Sequence, residues 1–510
     1  MSTINSYLSL EQFESIVFGN NAIDISSEVL ARVTESFNFL KEFSGNKIIY
    51  GVNTGFGPMA QYRINDEDTV QLQYNLIRSH ASGTGKPLSP IFVKSSILAR
   101  LNTLALGNSG VHPSVIYLMK ELINRDITPL IFEHGGVGAS GDLVQLAHLS
   151  LVLIGEGEVF YKGERKSTKE VFEAEGLNPI KVAIREGLGL MNGTSVMTGV
   201  GVVNIKNARM LLDWSIKISC AINEIVRAYD DHLSAALNDT KLHKGQQEVA
   251  QRMREHLSDS QLTRKREDHL YTGENTETIF KEKVQEYYSL RCVPQILGPV
   301  LDTITNTALV LENEINSAND NPIVDVKNRQ VYHGGNFHGD YISLEMDKLK
   351  LVITKLSMLA ERQLNYLMNS RINEILPPFT NLGRLGFNFG LQGVQFTAVS
   401  TTAENQMLSN PMYVHSIPNN NDNQDIVSMG TNAAVITAKV IENTFEVLAI
   451  ELMAVVQAID ALNYKNNMSS ATKRLYDEVR EILPVFSEDM VMYPYVAGIK
   501  DYLMNFKNQF

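Results

Sequence analysis

The chain has 510 residues, 44% of them hydrophobic, and a net charge of −12 at neutral pH. That is enough apolar material for a large core or several domains, and the acidic balance without Lys/Arg runs excludes a phosphate-neutralising surface, so nucleic acid is not an expected partner. Two cysteines, Cys220 and Cys292, leave no room for a disulfide framework or a Cys-rich metal site, and the N-terminal MSTINSYLSLEQFESIV lacks the form of a signal peptide, so a cytoplasmic protein is expected.

The first 195 residues are punctuated by glycine-bearing turns: YGVNTGFGPMA, SHASGTGKP, LGNSG and HGGVGASGD. A short apolar run, Ile127 to Phe132, precedes the last of these, and GEGEVFYKGER (155–165) reads as a small hairpin. Beyond it the pattern changes. Prolines are absent between Pro179 and Pro294, Pro322 and Pro377, and Pro418 and Pro484, which permits long helices. Ile205, Ala208, Leu211, Leu212, Ile218, Ile222, Ile225 and Val226 recur at helical spacing, as do Leu349 to Ala360 and Val435 to Ile459. Helices of about 25–35 residues are predicted, each roughly 40–50 Å long. Glu442, Glu446 and Glu451 interrupt Val435 to Leu462, so that stretch reads as a buried helix and not a membrane span. The expected fold is mainly α: an N-terminal domain over 1–195, a central bundle of long antiparallel helices over 196–465, and a C-terminal helical segment over 466–510. Three polar loops interrupt the helical part, NSANDNP (316–322), HGGNFHGD (333–340) and PNNNDNQD (418–425). Polar loops between rigid helices are where function usually sits.

The stretch GGVGASGDL (135–143) contains a formal G-x-G-x-x-G. As a dinucleotide fingerprint it is weak, because the rest of the chain lacks alternating strands and helices, and Asp142 would repel a pyrophosphate. Glycines gathered for a tight turn are a second reading. The third is autocatalytic. The Gly141 nitrogen can attack the Ala139 carbonyl carbon and close a five-membered ring, and loss of the Ser140 hydroxyl as water leaves an exocyclic methylidene. That chemistry asks for a small residue at 139, no side chain at 141 and permissive glycines on either side, all of which are present.

The motifs YGVNTGFG, SHASGTG, GASGDL, MNGT, QEYYSLR, GGNFH and NQDIVSMG occur in this order, and the chain resembles the aromatic amino acid ammonia-lyases, most of all the bacterial tyrosine ammonia-lyases. The resemblance runs from YGVNTGFG to NQDIVSMG. It implies an L-aspartase-like, mainly α fold, and a 4-methylidene-imidazol-5-one (MIO) group made from Ala139, Ser140 and Gly141, with no metal and no nucleotide. It also implies a homotetramer in which three subunits complete each active site, acting on a small amino acid and bound to neither nucleic acid nor membrane.

The reaction must remove a barely acidic β-proton and expel a poor leaving group. Tyr50 matches the family's catalytic tyrosine, a base that works only if its surroundings lower a phenol pKa near 10. The glycines of GVNTGFG suit a mobile lid over it. Arg291 resembles the carboxylate clamp, its guanidinium fork matched to a carboxylate. Tyr288 and Gln285, three and six residues before it, are expected on the same helical face, in contact with MIO and substrate. Asn192 resembles the asparagine that holds the prosthetic group or amine, and Phe337 the aromatic at the reacting centre.

Two positions bear on the substrate, and they disagree. Ser79-His80 has the order typical of histidine lyases, where many tyrosine lyases have His-Leu and phenylalanine lyases Phe-Leu. Asn423-Gln424-Asp425 instead departs from the Gln-Glu-Asp of histidine lyases, and neutral Gln424 suits a phenyl or phenol. His80 can hydrogen-bond a phenol as well as an imidazole. Conversion of L-tyrosine to trans-p-coumarate is the expectation, with histidine ammonia-lyase and phenylalanine ammonia-lyase or aminomutase as alternatives.

Overall fold

The structure, a computed structural model, describes residues 2–5, 7–19, 21–273, 276–280 and 283–505. It is mainly helical, and its strands form small sheets of two or three members. The periodic stretches are helices Ser195–Ile225, Asp340–Met368 and Gly430–Leu462, of 31, 29 and 33 residues. A further long helix, Val293–Ile315, carries Pro299 in its interior. Proline there removes the amide that would bond back to the residue 295 carbonyl, so a search of proline-free gaps could not find it. No described helix is long and apolar enough to cross a membrane.

The chain divides into two compact units. The first takes in residues up to Lys206 with Thr307–Asp347 and Pro411–Ala438; the second takes in Asn207–Asn306, Lys348–Asn410 and the chain from Lys439.

In the first unit, helix Pro90–Ala105 is buried at every position from Ser95 onward. Proline at its start suits a turn whose amides lack partners anyway. Its polar residues are small where the chain comes close: a Cβ on Gly199 would lie 2.5 Å from the Ser96 nitrogen, and Ser95 donates to the Gly199 carbonyl at 2.8 Å. Helix Thr69–His80 ends just before strand Thr84–Pro87, which pairs antiparallel with Phe132–His134, the strand that enters the glycine loop. The expected hairpin forms, over 158–167 and not 155–165, and Lys162 and Gly163, both left-handed, turn it.

Glu186 braces the same unit. Its two oxygens accept the backbone N–H groups of His112 and Ala183, each at 2.6 Å. Burial pushes its carboxyl up to about 7, against the pull of those two hydrogen bonds.

In the second unit, Gly245 and Gly298 let two helices meet at backbone distance; a Cβ on Gly245 would lie 2.3 Å from the Gly298 carbonyl oxygen. Gln363 links to Ser219 at 3.0 Å, and Asn405 donates to Ser357 and Thr444. Glu451 is 1% exposed, and burial holds its carboxyl far above the usual carboxylate range. Here the long helix keeps an acidic residue inside by keeping it neutral.

Two measurements check these statements. Gly245→Ala forces a methyl against a carbonyl and is expected to lower the unfolding free energy by about 1–3 kcal/mol in denaturant titration. Glu186 binds its proton more tightly folded than unfolded. Its contribution to stability is therefore full below about pH 4.5 and lost as pH rises through about 7. Glu186→Gln removes that decline, so the stability of variant minus wild type is expected to rise over this window by on the order of 3 kcal/mol. A difference that stays flat with pH contradicts the assignment.

Candidate active site

Strand Phe132–His134 enters the glycine loop and helix Leu143–Leu153 leaves it. Strand, glycines and helix is also the setting of a phosphate-binding turn, but the interior of this loop is different. Gly141 is left-handed at φ +73°, and a Cβ on it would lie 2.0 Å from the Gly193 carbonyl oxygen. Gly138, at φ +72°, lies against Ser428 in the same way, and its carbonyl accepts the Ser428 hydroxyl at 2.9 Å and the Gly339 N–H at 3.0 Å.

Asp142 is fully buried. Its N–H donates to the Gly193 carbonyl at 2.7 Å. Its carboxylate accepts the Val196 and Met197 amides at 2.8 and 3.0 Å, and the Thr431 hydroxyl. Burial pushes this carboxyl up to about 6, while those hydrogen bonds pull it down. The anion position at the start of helix Ser195–Ile225 is thus taken by the chain's own carboxylate.

The tripeptide suits ring closure. Ala139 is 4% exposed and small, and Gly141 presents no side chain to its neighbours. Asn192 donates to the Ser140 carbonyl at 2.9 Å, the oxygen that stays on the closed ring, and Gln424 donates to the Ser140 hydroxyl at 2.9 Å. These residues fit the group that the sequence implies.

A cavity of about 510 Å³ opens over Ser140. Tyr50, Ser79, His80, Asn192, Phe337, Asn423 and Gln424 all line it, brought from five separate stretches of the first unit. Tyr50 accepts the Gly57 N–H on its hydroxyl oxygen at 3.0 Å and meets the Phe56 ring edge-on. His80 Nδ1 lies 3.0 Å from the Leu76 carbonyl and 3.0 Å from the Ser79 hydroxyl. In the neutral tautomer with its proton on Nδ1, the ring donates to the Leu76 carbonyl and leaves Nε2 as an acceptor. Among the described residues the lining holds no Asp, Glu, Lys or Arg.

Gln285, Tyr288 and Arg291 belong to the second unit and are not among the lining residues. Arg291 donates to the Glu286 carbonyl and lies over the Tyr288 ring, 4.6 Å from its centroid. The shared helical face holds for Tyr288 but not for Gln285. The helix spans Tyr288–Arg291 alone, because Tyr287 is extended at ψ 156° and stops the pattern before it reaches Gln285.

Several lining residues were not singled out from the sequence. Asn321 and Asn420 lie in two of the polar loops already noted, so the signal was there at the level of the segment. Leu72, Asn75 and Leu76 precede Ser79 and His80 on one helix, and helical spacing places them on the same face.

The chain matches the family described as "Aromatic amino acid lyase" over residues 8–481. It is 38% identical over 489 residues to a histidine ammonia-lyase of Geobacillus sp. strain WCH70, covering 95% of this chain and 92% of that one. It is 36% identical over 501 residues to a tyrosine 2,3-aminomutase of Myxococcus sp. strain Mx-B0, covering 96% and 94%. Its fold is similar to the crystal structure of tyrosine aminomutase from Streptomyces globisporus, with TM-score 0.94, 33% identity, and coverage of 98% and 96%. The glycine loop, the residues gathered over it and these likenesses lead to one conclusion: the chain belongs to the aromatic amino acid lyase family, carbon–nitrogen lyases that carry an MIO group, here formed from Ala139, Ser140 and Gly141, and act without a metal.

Proposed function

We propose that this lyase acts on L-tyrosine, eliminating ammonia without oxidation to give trans-p-coumarate. The observation that carries this reading is His80 in the wall of a cavity to which the described residues of this chain bring no Asp, Glu, Lys or Arg. A phenol O–H donates to the free Nε2 lone pair and stays neutral. A histidine ring, partly protonated near neutral pH, meets no carboxylate among the described lining residues, and Gln424 is neutral where a glutamate would suit an imidazole. Phenylalanine leaves Nε2 without a partner.

In this reading Asn192 would hold the MIO group, which would supply an electrophilic methylidene for the substrate amine. Tyr50, as the phenolate, takes the β-proton on its oxygen and becomes the neutral phenol; the Gly57 amide donates to that oxygen. Asn192, which donates to the Ser140 carbonyl that the closed ring keeps, orients the ring, while Gln424, whose partner hydroxyl leaves on ring closure, and Phe337 face the substrate from the cavity wall. The lining supplies no cation for the substrate carboxylate, so Arg291, with Tyr288 and Gln285, is assigned to a site completed by other copies of the chain in a homotetramer. The second reading is histidine ammonia-lyase, with urocanate as product. It is favoured by the Ser79-His80 order and by the histidine ammonia-lyases among the relatives.

Two substitutions test the assignment. His80→Phe removes the acceptor, and the ratio of kcat/KM for tyrosine over phenylalanine is expected to fall about 5- to 150-fold, the cost of an unpaired buried polar group. An unchanged ratio removes His80 from substrate recognition. Tyr50→Phe is expected to keep the MIO absorbance while turnover falls about 10²–10⁴-fold. Near-normal turnover would give the proton to another residue.

A further inference from the structure

The turn Asn192–Gly193–Thr194 meets the cyclising tripeptide on one side and a buried polar wedge on the other. In front, Asn192 donates to the Ser140 carbonyl, and the Gly193 carbonyl bears on Gly141 and accepts the Asp142 amide. Behind, a Cβ on Gly193 would lie 2.3 Å from Arg100 Nη1 and 2.7 Å from Asn319 Oδ1, so the wedge fills the space into which the turn would recede.

The wedge is itself fixed. Arg100 is fully buried and Asn319 is 2% exposed. Arg100 donates to the Gly189 carbonyl with one nitrogen and to Asn319 Oδ1 at 3.3 Å with the other. Asn319 donates to the Thr194 hydroxyl at 2.7 Å, and that hydroxyl donates to Glu314. Neither Arg100 nor Asn319 lines the cavity, so neither is placed to meet substrate.

We propose that Arg100 and Asn319 are positioning residues for MIO formation, holding Gly193 against Gly141 so that the Gly141 nitrogen stays within reach of the Ala139 carbonyl carbon. In the step they assist, the Gly141 nitrogen bonds to that carbon. The Ala139 carbonyl oxygen leaves as water with the protons of the Gly141 and Ser140 nitrogens, and a C=N bond forms between Ala139 and Ser140. A second water leaves with the Ser140 hydroxyl and the Ser140 Cα proton, giving the methylidene. No oxidant or reductant is needed. Once the ring is closed its covalent bonds hold the geometry, and the wedge has no further part in turnover.

The inference rests on ring formation from residues 139–141, and the test separates the two. Arg100→Met and Asn319→Ala are purified with wild type, and the peptide spanning 139–141 is weighed at successive times after synthesis. Wild type is expected to lack two waters. The variants, with wild-type circular dichroism, are expected to retain one or both waters and to lose them about tenfold more slowly, as for a lost hydrogen-bonded contact. Activity per dehydrated chain, and KM, are expected to match wild type. If Arg100→Met does not fold, Asn319→Ala, which removes no charge, carries the same comparison. Folded variants that dehydrate as completely and as fast as wild type overturn the proposal. A wild-type peptide that keeps both waters contradicts ring formation itself.

Discussion

The architecture of the first unit depends on one backbone contact, Gly141 against Gly193. A single methyl at either position has nowhere to go: at 141 it meets the Gly193 carbonyl, at 193 it meets Arg100 and Asn319. Two glycines distant in sequence are therefore needed for one approach. That approach puts the Asp142 carboxylate on the first amides of helix Ser195–Ile225 and puts Asn192 on the Ser140 carbonyl. The cavity wall follows from it, since Asn192 and Ser140 both face that space.

A second constraint is electrostatic. The unit buries Arg100, Arg185, Asp142, Glu186 and Asp320, yet none of them lines the cavity. Arg185 pairs with Asp320 at 2.8 Å and donates to the Asn321 carbonyl at 2.9 Å; Asn321 in turn accepts the Gly334 amide at 2.8 Å. These charges lie behind the wall, held by partners and backbone, and amides, hydroxyls and one imidazole are left to meet the ligand. A pocket of this kind discriminates by hydrogen bonds and shape and not by charge. That is the basis for favouring a phenol over an imidazole.

Much of this was legible in the sequence. Long apolar periodicity gave the Ser195–Ile225, Asp340–Met368 and Gly430–Leu462 helices, because a helix that buries one face must repeat every three to four residues. The Lys162-Gly163 turn was readable because left-handed backbone needs permissive residues. The ring-forming tripeptide was readable because cyclisation demands small residues in a fixed order. The helix with Pro299 was not, since a proline inside a helix violates the local rule used to find it. The face shared by Gln285 and Arg291 was overestimated, because a four-residue helix has one turn and periodicity says nothing about where it stops. The Arg100–Asn319 wedge was out of reach altogether: a buried arginine and an asparagine more than two hundred positions away have no joint signature in one sequence.

The reading of this chain as a tyrosine lyase is tested most directly by offering the purified protein L-tyrosine, L-histidine and L-phenylalanine separately, and following product absorbance and free ammonia for each. The account predicts stoichiometric ammonia and p-coumarate from tyrosine, at a kcat/KM well above that for the other two. Urocanate from histidine as the dominant product, or a β-amino acid from tyrosine without release of ammonia, would contradict it.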